Sequence, residues 1–131
     1  MMNAALWTVQ IMLAAIFLAS GAMKVSQPKD RLIASGQTGV APFPAPVVKL
    51  TASAEIAAAA GLILPQATGI APALTPVAAV GLAVVMVGAV ISHSTLLRAD
   101  LAAGRGPKEA LGVATTLVLL ALCVFVAAGR F

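Results

Sequence analysis

The chain has 131 residues, of which 61% are hydrophobic and only 9% are charged, and its formal net charge is +4. This composition excludes an ordinary soluble domain, in which about 25% of the residues are charged, and it excludes a disordered chain. One membrane-spanning helix needs about 20 apolar residues, so four spans with short connections account for the whole sequence. We expect residues 1–131 to form a single all-α domain, an integral membrane four-helix bundle.

Four apolar runs supply the expected spans, at about 4–23, 46–64, 70–92 and 109–129. Each run is continuously apolar and does not alternate with period two, which argues against barrel strands. The first run could instead be a cleaved secretory signal, but residues 1–5 contain no lysine or arginine. Its apolar core also exceeds the roughly 7–15 residues typical of a signal. We therefore expect the first run to be a span.

The charges between the runs predict the orientation of the bundle. Lysine and arginine are concentrated in the connections at about 24–45 and 93–108, whereas the turn "PQATG" at 65–69 has no charge. Basic loops stay cytoplasmic, so we expect both basic connections inside a bacterial inner membrane and both termini outside. The basic charge is then explained by topology and by the anionic headgroups of the lipid bilayer, and no nucleic-acid partner is expected.

The longer connection is expected to have two parts. Pro28 is a favourable first helical residue and Gly36 a helix stop, which predicts a short interfacial helix over residues 28–35. The prolines that follow predict an extended segment, and they are Pro42, Pro44 and Pro46. This segment either crosses the cytoplasmic mouth of the bundle, with Phe43 dipping into it, or is a solvated connector.

Proline and glycine mark the second and third spans, and a short motif precedes the fourth. Pro76 should free a carbonyl near residue 72 and bend the outer end of the third helix. Small residues should let the helix backbones approach closely, and the glycines among them are Gly61, Gly81 and Gly88. The motif "GRGPKE" at 104–109 predicts a loop followed by the first turn of the fourth helix, with Glu109 in that turn.

Polar residues inside the spans are the candidates for function. Glu55 lies about 13 Å into the second helix, and an exposed acid at that depth costs a few kcal/mol, so it should face the bundle interior. In the first span one helical stripe has a polar residue at each end. It consists of Gln10, Ala14, Phe17, Gly21 and Lys24.

The topology brings Lys24, Glu55 and His93 into the same half of the bundle, where they could converge as catalytic residues. Alternatively, Lys24 snorkels to the headgroups, His93 caps a helix end, and only Glu55 is buried. The candidate ligand-binding residues are Gly21, Phe17, Gln10, Ala59 and Ser92. Ser20, Thr115 and Thr116 are weaker candidates, because membrane serines and threonines often bond only to their own helix.

The segments "GAMK" at 21–24 and "EIAAAAGLILP" at 55–65, together with the proline-containing connection between them, resemble the DoxX-like family of small four-span membrane proteins. The resemblance implies a four-helix bundle and places Gly21, Lys24, Glu55 and Gly61 on recurring family positions. Some relatives are small subunits of thiosulfate:quinone oxidoreductase, and others accompany redox or detoxifying enzymes. The resemblance therefore implies a fold more than a reaction.

The reactive residues of the chain limit the chemistry further. Thiol–disulfide exchange needs two cysteines, and the single Cys123 is expected to be a small buried hydrophobe. Bis-histidine haem ligation would need a second protomer, since His93 is the only histidine. Glu55 and His93 supply at most two metal ligands, so no metal site is expected.

Three functions stay open. The protein could be a subunit or accessory of a quinone-linked redox system that binds a small lipophilic molecule. It could be an enzyme in which Glu55, with His93 or Lys24, carries out acid–base chemistry such as isomerisation, cyclisation or epoxide opening. It could also be a structural or assembly subunit whose Glu55–Lys24 pair locks the bundle. A redox-enzyme partner is expected in the first case, with a quinone as the one possible cofactor. A homo-oligomer is possible in all three cases, because bundles with so many small residues often associate.

Overall fold

The computed structural model describes residues 2–35 and 38–131. Within those ranges the chain forms helices and no strands. The helices are α1 (Met2–Ser26), α2 (Lys29–Ala34), a 3-10 helix (Thr38–Val40), α3 (Ala45–Thr68), α4 (Leu74–Ala102) and α5 (Ala110–Arg130). Helices α1, α3, α4 and α5 are each long and apolar enough to cross a membrane. The predicted all-α membrane bundle is confirmed.

The four long helices pack in the order α1, α3, α4, α5, and the contact that closes the ring, between α5 and α1, is less extensive than the α4–α5 and α1–α3 contacts. The core between them consists of large apolar side chains, among them Leu13, Phe17, Leu62, Leu82 and Val126. We call the end of the bundle where α1 and α4 finish and α3 and α5 begin the basic end. Among the described residues it contains every lysine and arginine except Arg130.

Glycine allows close contact between α1 and α3 and between α3 and α4. A Cβ atom at Gly21 would lie 2.9 Å from the Ala52 carbonyl oxygen, and one at Gly61 would lie 2.9 Å from the Ala78 Cβ. The expectation of similar contacts at Gly81 and Gly88 is wrong, because a Cβ at either position would meet nothing within 4 Å. Those two glycines face open space rather than a neighbouring helix.

The prolines act at different places from those predicted. Helix α3 continues through Pro65 to Thr68, beyond the predicted end of the span at residue 64. The carbonyl that Pro65 leaves free, that of Gly61, accepts a hydrogen bond of 3.0 Å from the Thr75 hydroxyl, as expected for a proline inside a packed membrane helix.

Pro76 does not interrupt a helix. Helix α4 begins at Leu74, so Pro76 lies in its first turn, where a missing N–H removes no intrahelical bond. The Pro72 carbonyl accepts the Thr75 N–H at 3.1 Å. The predicted bend at the outer end of α4 is therefore replaced by a normal helix start.

The connection between α1 and α3 begins with a helix close to the predicted one. Pro28 precedes α2 with extended backbone, and the predicted stop, Gly36, lies outside the described residues. Pro44 is also extended, but α3 starts at Ala45 and includes Pro46 in its first turn. The three prolines therefore do not form one extended segment, because a proline is tolerated in the first turn of a helix.

Lys49 fastens this connection to the end of α1. Its Nζ donates hydrogen bonds to the carbonyls of Lys24, Val25 and Gln27, at 2.5, 3.0 and 2.6 Å. The last carbonyls of a helix have no partners within the helix and attract positive charge. Lys49 thus satisfies the end of α1 from the first turns of α3.

The end opposite the basic end is closed by a polar network between α1 and α5. The Gln10 side chain is fully buried; its Nε2 donates to the Leu62 carbonyl at 2.6 Å, and its Oε1 accepts from Arg130 Nε at 2.7 Å. Arg130 also donates to Asn3 at 2.9 Å and lies 5.5 Å from the centre of the Trp7 ring. This network holds the first and last helices together.

Candidate functional site

A cavity of about 660 Å³ lies at the basic end, between the four long helices. Volumes of about 300–1,000 Å³ are typical of pockets for small molecules. Most of its walls are apolar, including Ile16, Phe17, Val48, Val85, Met86 and Leu119. Its charged or titratable groups are Lys24, Glu55, His93, Lys108 and Glu109.

The predicted pair of Lys24 and Glu55 is formed. Lys24 Nζ donates to Glu55 Oε1 at 3.0 Å and lies 3.4 Å from Oε2. The Glu55 side chain is 0% exposed and that of Lys24 is 15% exposed. Gly21 makes this geometry possible, because the absence of a side chain lets α3 approach α1 one turn before Lys24. A buried carboxylate needs such a partner to stay charged in an apolar surrounding.

His93 lines the same cavity but pairs with a different carboxylate. Its Nδ1 lies 2.9 Å from Glu109 Oε2, and the Thr38 hydroxyl donates to the same oxygen at 3.0 Å. The ring is enclosed by two glycines: a Cβ at Gly39 would lie 2.7 Å from Nε2 and one at Gly112 would lie 2.5 Å from Nδ1. The structure thus holds the imidazole in one orientation beside Glu109.

Residues 38–43, which we call the strap, cover the basic end of the cavity. The Gly39 carbonyl accepts a hydrogen bond of 2.6 Å from Ser92 on α4, and Thr38 is bonded to Glu109. Phe43 and Val40 line the cavity. Of the two alternatives for this segment, the structure favours the one in which it crosses the mouth of the bundle.

The other predicted site residues are divided between the cavity and its surroundings. Phe17, Ser20, Thr115 and Thr116 line the cavity. Among the described lining residues there is no Gln10, Gly21, Ala59 or Ser92. Gln10 belongs to the network at the opposite end, Gly21 contacts α3, Ala59 is in the core, and Ser92 holds the strap.

A family model described as the DoxX-like family matches residues 8–126. The chain belongs to the DoxX-like family. The matched region includes both side-chain pairs of the cavity, Lys24–Glu55 and His93–Glu109, and nearly all of the four long helices. Neither a search of curated proteins nor one of solved structures found a match to this DoxX-like protein. Family membership and four apolar helices together make it a multi-pass membrane protein in contact with the lipid bilayer.

Sequence reasoning missed the role of Glu109 in this DoxX-like protein. An acid at the start of a helix is adequately explained by the helix dipole, and nothing in the local sequence links it to His93 on another helix. Only the packing of α4 against α5 brings the two together. Lys108, also part of the cavity lining, was missed for the same reason.

The remaining reactive groups lie apart from the cavity lining. Cys123 is fully buried in the core, and Asp100 pairs with Arg105 at 2.7 Å near the end of α4. No group of three His, Cys, Asp or Glu side chains that could hold a metal ion occurs in residues 2–35 and 38–131. The cavity therefore offers paired acids and bases in an apolar space.

Proposed function

We propose that this DoxX-like protein binds a small lipophilic molecule in the cavity at the basic end, as a subunit or accessory of a quinone-linked redox system. The observation that supports this function is the combination of apolar walls with two partnered carboxylates in one cavity, Glu55 paired with Lys24 and Glu109 hydrogen-bonded to His93. Pockets for small molecules typically combine apolar walls with a few placed polar groups.

The polar groups suit a ligand with hydrogen-bond acceptors, such as the carbonyl oxygens of a quinone. Lys24 Nζ is an ammonium donor, and Glu55 holds it in place from within the bundle. The His93 imidazole is held in the same way by Glu109. Hydrogen bonds in such a surrounding are stronger than in water, so the Lys24 ammonium would orient the head of the ligand while apolar side chains contact its ring.

The location proposed is a bacterial inner membrane, with the basic end in the cytoplasm and both termini outside. The distribution of lysine and arginine supports this orientation. A cysteine introduced at Ala103, which is exposed next to the end of α4, should react with a membrane-impermeant thiol reagent only after the membrane is opened. A reaction in sealed spheroplasts would contradict the orientation.

The function is tested by identifying what copurifies with the protein in mild detergent by mass spectrometry. Wild type is compared with Glu55→Gln, which removes the carboxylate charge in the cavity, and with Asp100→Asn. The second variant is a matched control, since Asp100 is also ion-paired but does not line the cavity. We expect a quinone in wild type and in the control and its loss in Glu55→Gln. Equal retention by all three proteins would contradict the proposal.

A second candidate function, acid–base catalysis on a hydrophobic substrate, is favoured by the His93–Glu109 pair. The carboxylate orients the imidazole through Nδ1, and Nε2 makes no hydrogen bond to the residues that the structure describes. An imidazole in that arrangement could transfer a proton during isomerisation, cyclisation or epoxide opening. His93→Gln would then abolish conversion of the bound molecule, followed by mass spectrometry, to a far greater extent than it lowers the amount of molecule retained.

The third candidate function, a structural subunit, predicts a different result for wild type and Glu55→Gln. If the Lys24–Glu55 pair serves only to lock α1 to α3, Glu55→Gln lowers stability while wild type carries no small molecule. If wild type carries no small molecule and Glu55→Gln does not change its stability, the Lys24–Glu55 pair serves neither ligand binding nor the packing of α1 on α3.

A further inference from the structure

The contact between α1 and α5 differs along its length. Near the end opposite the basic end, Arg130 bonds to Gln10 and Asn3, and a Cβ at Gly129 would lie 2.5 Å from the Leu6 side chain. Toward the basic end the same two helices border the cavity instead. The helices are therefore tightly joined at one end and have the cavity between them at the other.

Four residues define the edges of this space. Ile16 and Ser20 lie on α1, Leu111 and Thr115 lie on α5, and all four line the cavity. Leu111 is nevertheless 76% exposed and Ile16 39% exposed, and Thr115 is exposed as well. A side chain that both lines a cavity and is exposed marks an opening of that cavity. Ile16, Leu111 and Thr115 place one opening between α1 and α5. Phe43 and Val47, which also line the cavity and are 37% and 42% exposed, place another at the basic end.

The sides between the other long helices are occupied by protein. The contact at Gly21 joins α1 to α3, Gly61 and Thr75 join α3 to α4, and α4 packs along α5. The strap crosses the basic end and is bonded to α4 and to Glu109 at the start of α5. Since α1 and α5 are membrane-spanning helices, a gap between them faces lipid.

We propose that the cavity opens laterally into the bilayer between Ile16 and Ser20 of α1 and Leu111 and Thr115 of α5, and that its ligand is a membrane-dissolved amphiphile. The head lies at the charged residues, and a long apolar tail passes through this lateral opening into the lipid. The inference rests on the proposed function and adds the route of entry and the class of ligand.

The charges of the lining favour an uncharged head. The cavity contains two lysines, Lys24 and Lys108, and two glutamates, Glu55 and Glu109, so the formal charges cancel. Both carboxylates already have partners, so a cationic head would be brought out of water without a counter-ion, which is unfavourable. Lys108 is exposed, so it stays solvated and does not place a further positive charge in the apolar interior. A head that only accepts or donates hydrogen bonds, with a tail too long for the cavity, meets these conditions.

The test compares two quinones that share a head, one with a single prenyl unit and one with a long polyprenyl tail. Thr115→Trp places a large side chain in the lateral opening. Leu117→Trp is the matched control, because Leu117 is exposed on the same helix and does not line the cavity. Each detergent-solubilised protein is incubated with each quinone and separated by size exclusion, and the retained quinone is quantified after extraction, with protein-free micelles as background.

We expect Thr115→Trp to retain the long-tailed quinone about tenfold less than wild type, a change of about 1.4 kcal/mol in binding, because the indole occupies the path of the tail. It should retain the short-tailed quinone normally. Leu117→Trp should retain both. Normal retention of the long-tailed quinone by Thr115→Trp, or equal loss of both quinones, would overturn the lateral opening while leaving binding in place. If wild type retains neither quinone above background, the proposed function itself fails, and the lateral route with it.

Discussion

The two ends of the bundle use polar residues in opposite ways. At the end opposite the basic end, the amide of Gln10 has protein partners at both its nitrogen and its oxygen, and Arg130 joins α5 to α1. At the basic end the paired groups Lys24–Glu55 and His93–Glu109 border a cavity. Polar residues in membrane helices can therefore either hold a bundle together or form a candidate binding site. The two cases differ in whether a cavity lies next to the polar side chains.

The largest effect is expected where a buried charge loses its partner. Lys24→Met leaves the carboxylate of Glu55 fully buried without a cation, which should lower the free energy of unfolding by about 3–5 kcal/mol and abolish quinone retention. Unfolding by denaturing detergent, followed by circular dichroism, measures the first quantity. A loss of stability no larger than that of Asp100→Asn would show that the pair has no special role.

A substitution at the opposite end of the bundle should change the stability of the protein and not its retention of quinone. Gln10→Leu removes the hydrogen bonds to the Leu62 carbonyl and to Arg130, which should cost about 1–3 kcal/mol because buried polar atoms lose their partners. Quinone retention, measured by extraction from the purified protein, should stay at the wild-type level. If retention falls as far as in Glu55→Gln, the two ends do not have separate functions.

A smaller effect is expected where glycine encloses the His93 ring. Gly112→Ala puts a methyl group against Nδ1, so the ring must move away from Glu109, at a cost of about 1–2 kcal/mol for a tightly packed position. Gly81→Ala is the control, since its methyl group meets nothing within 4 Å, and it should stabilise α4 by about 0.5–1 kcal/mol. Equal unfolding curves for the two variants would contradict the tight packing of His93.

The smallest effect is expected for the ion pair of Asp100 and Arg105, which does not line the cavity. Arg105 is 54% exposed, and ion pairs with an exposed partner contribute about 0–1 kcal/mol. Asp100→Asn should therefore shift the unfolding curve by no more than this and leave quinone retention unchanged. A loss comparable to that of Lys24→Met would mean that charge pairs at the basic end act alike, wherever they lie.

The fold and the Lys24–Glu55 pair could be predicted because each depends on where the apolar runs lie and where a charge falls within them or at their ends. Four apolar runs dictate four spans, and an acid deep in the second span must face inward toward the nearest cation. The partner of His93 could not be predicted, because Glu109 is explained equally well by its position at a helix start. Its role depends on the packing of two helices.

The place of Gln10 shows a second limit of sequence reasoning. The stripe from Gln10 to Lys24 does face inward, since Gln10, Phe17 and Gly21 are buried. Periodicity gives the face of a helix and not what lies opposite each of its turns. Lys24 borders the cavity, whereas Gln10 lies at the packed end of the bundle and bonds to Arg130. Arg130 follows the fourth span in the sequence, and that position did not indicate a contact with Gln10.

The central claim, that the Lys24–Glu55 pair serves a ligand and not only the packing of α1 on α3, is tested most directly by replacing both residues at once. Lys24→Met/Glu55→Met exchanges the ion pair for apolar side chains, a change that is often neutral or stabilising for buried pairs. We predict that the double variant unfolds at wild-type or higher denaturant concentration and yields no bound quinone in mass spectrometry. A stable double variant that retains the same quinone as wild type would contradict the claim.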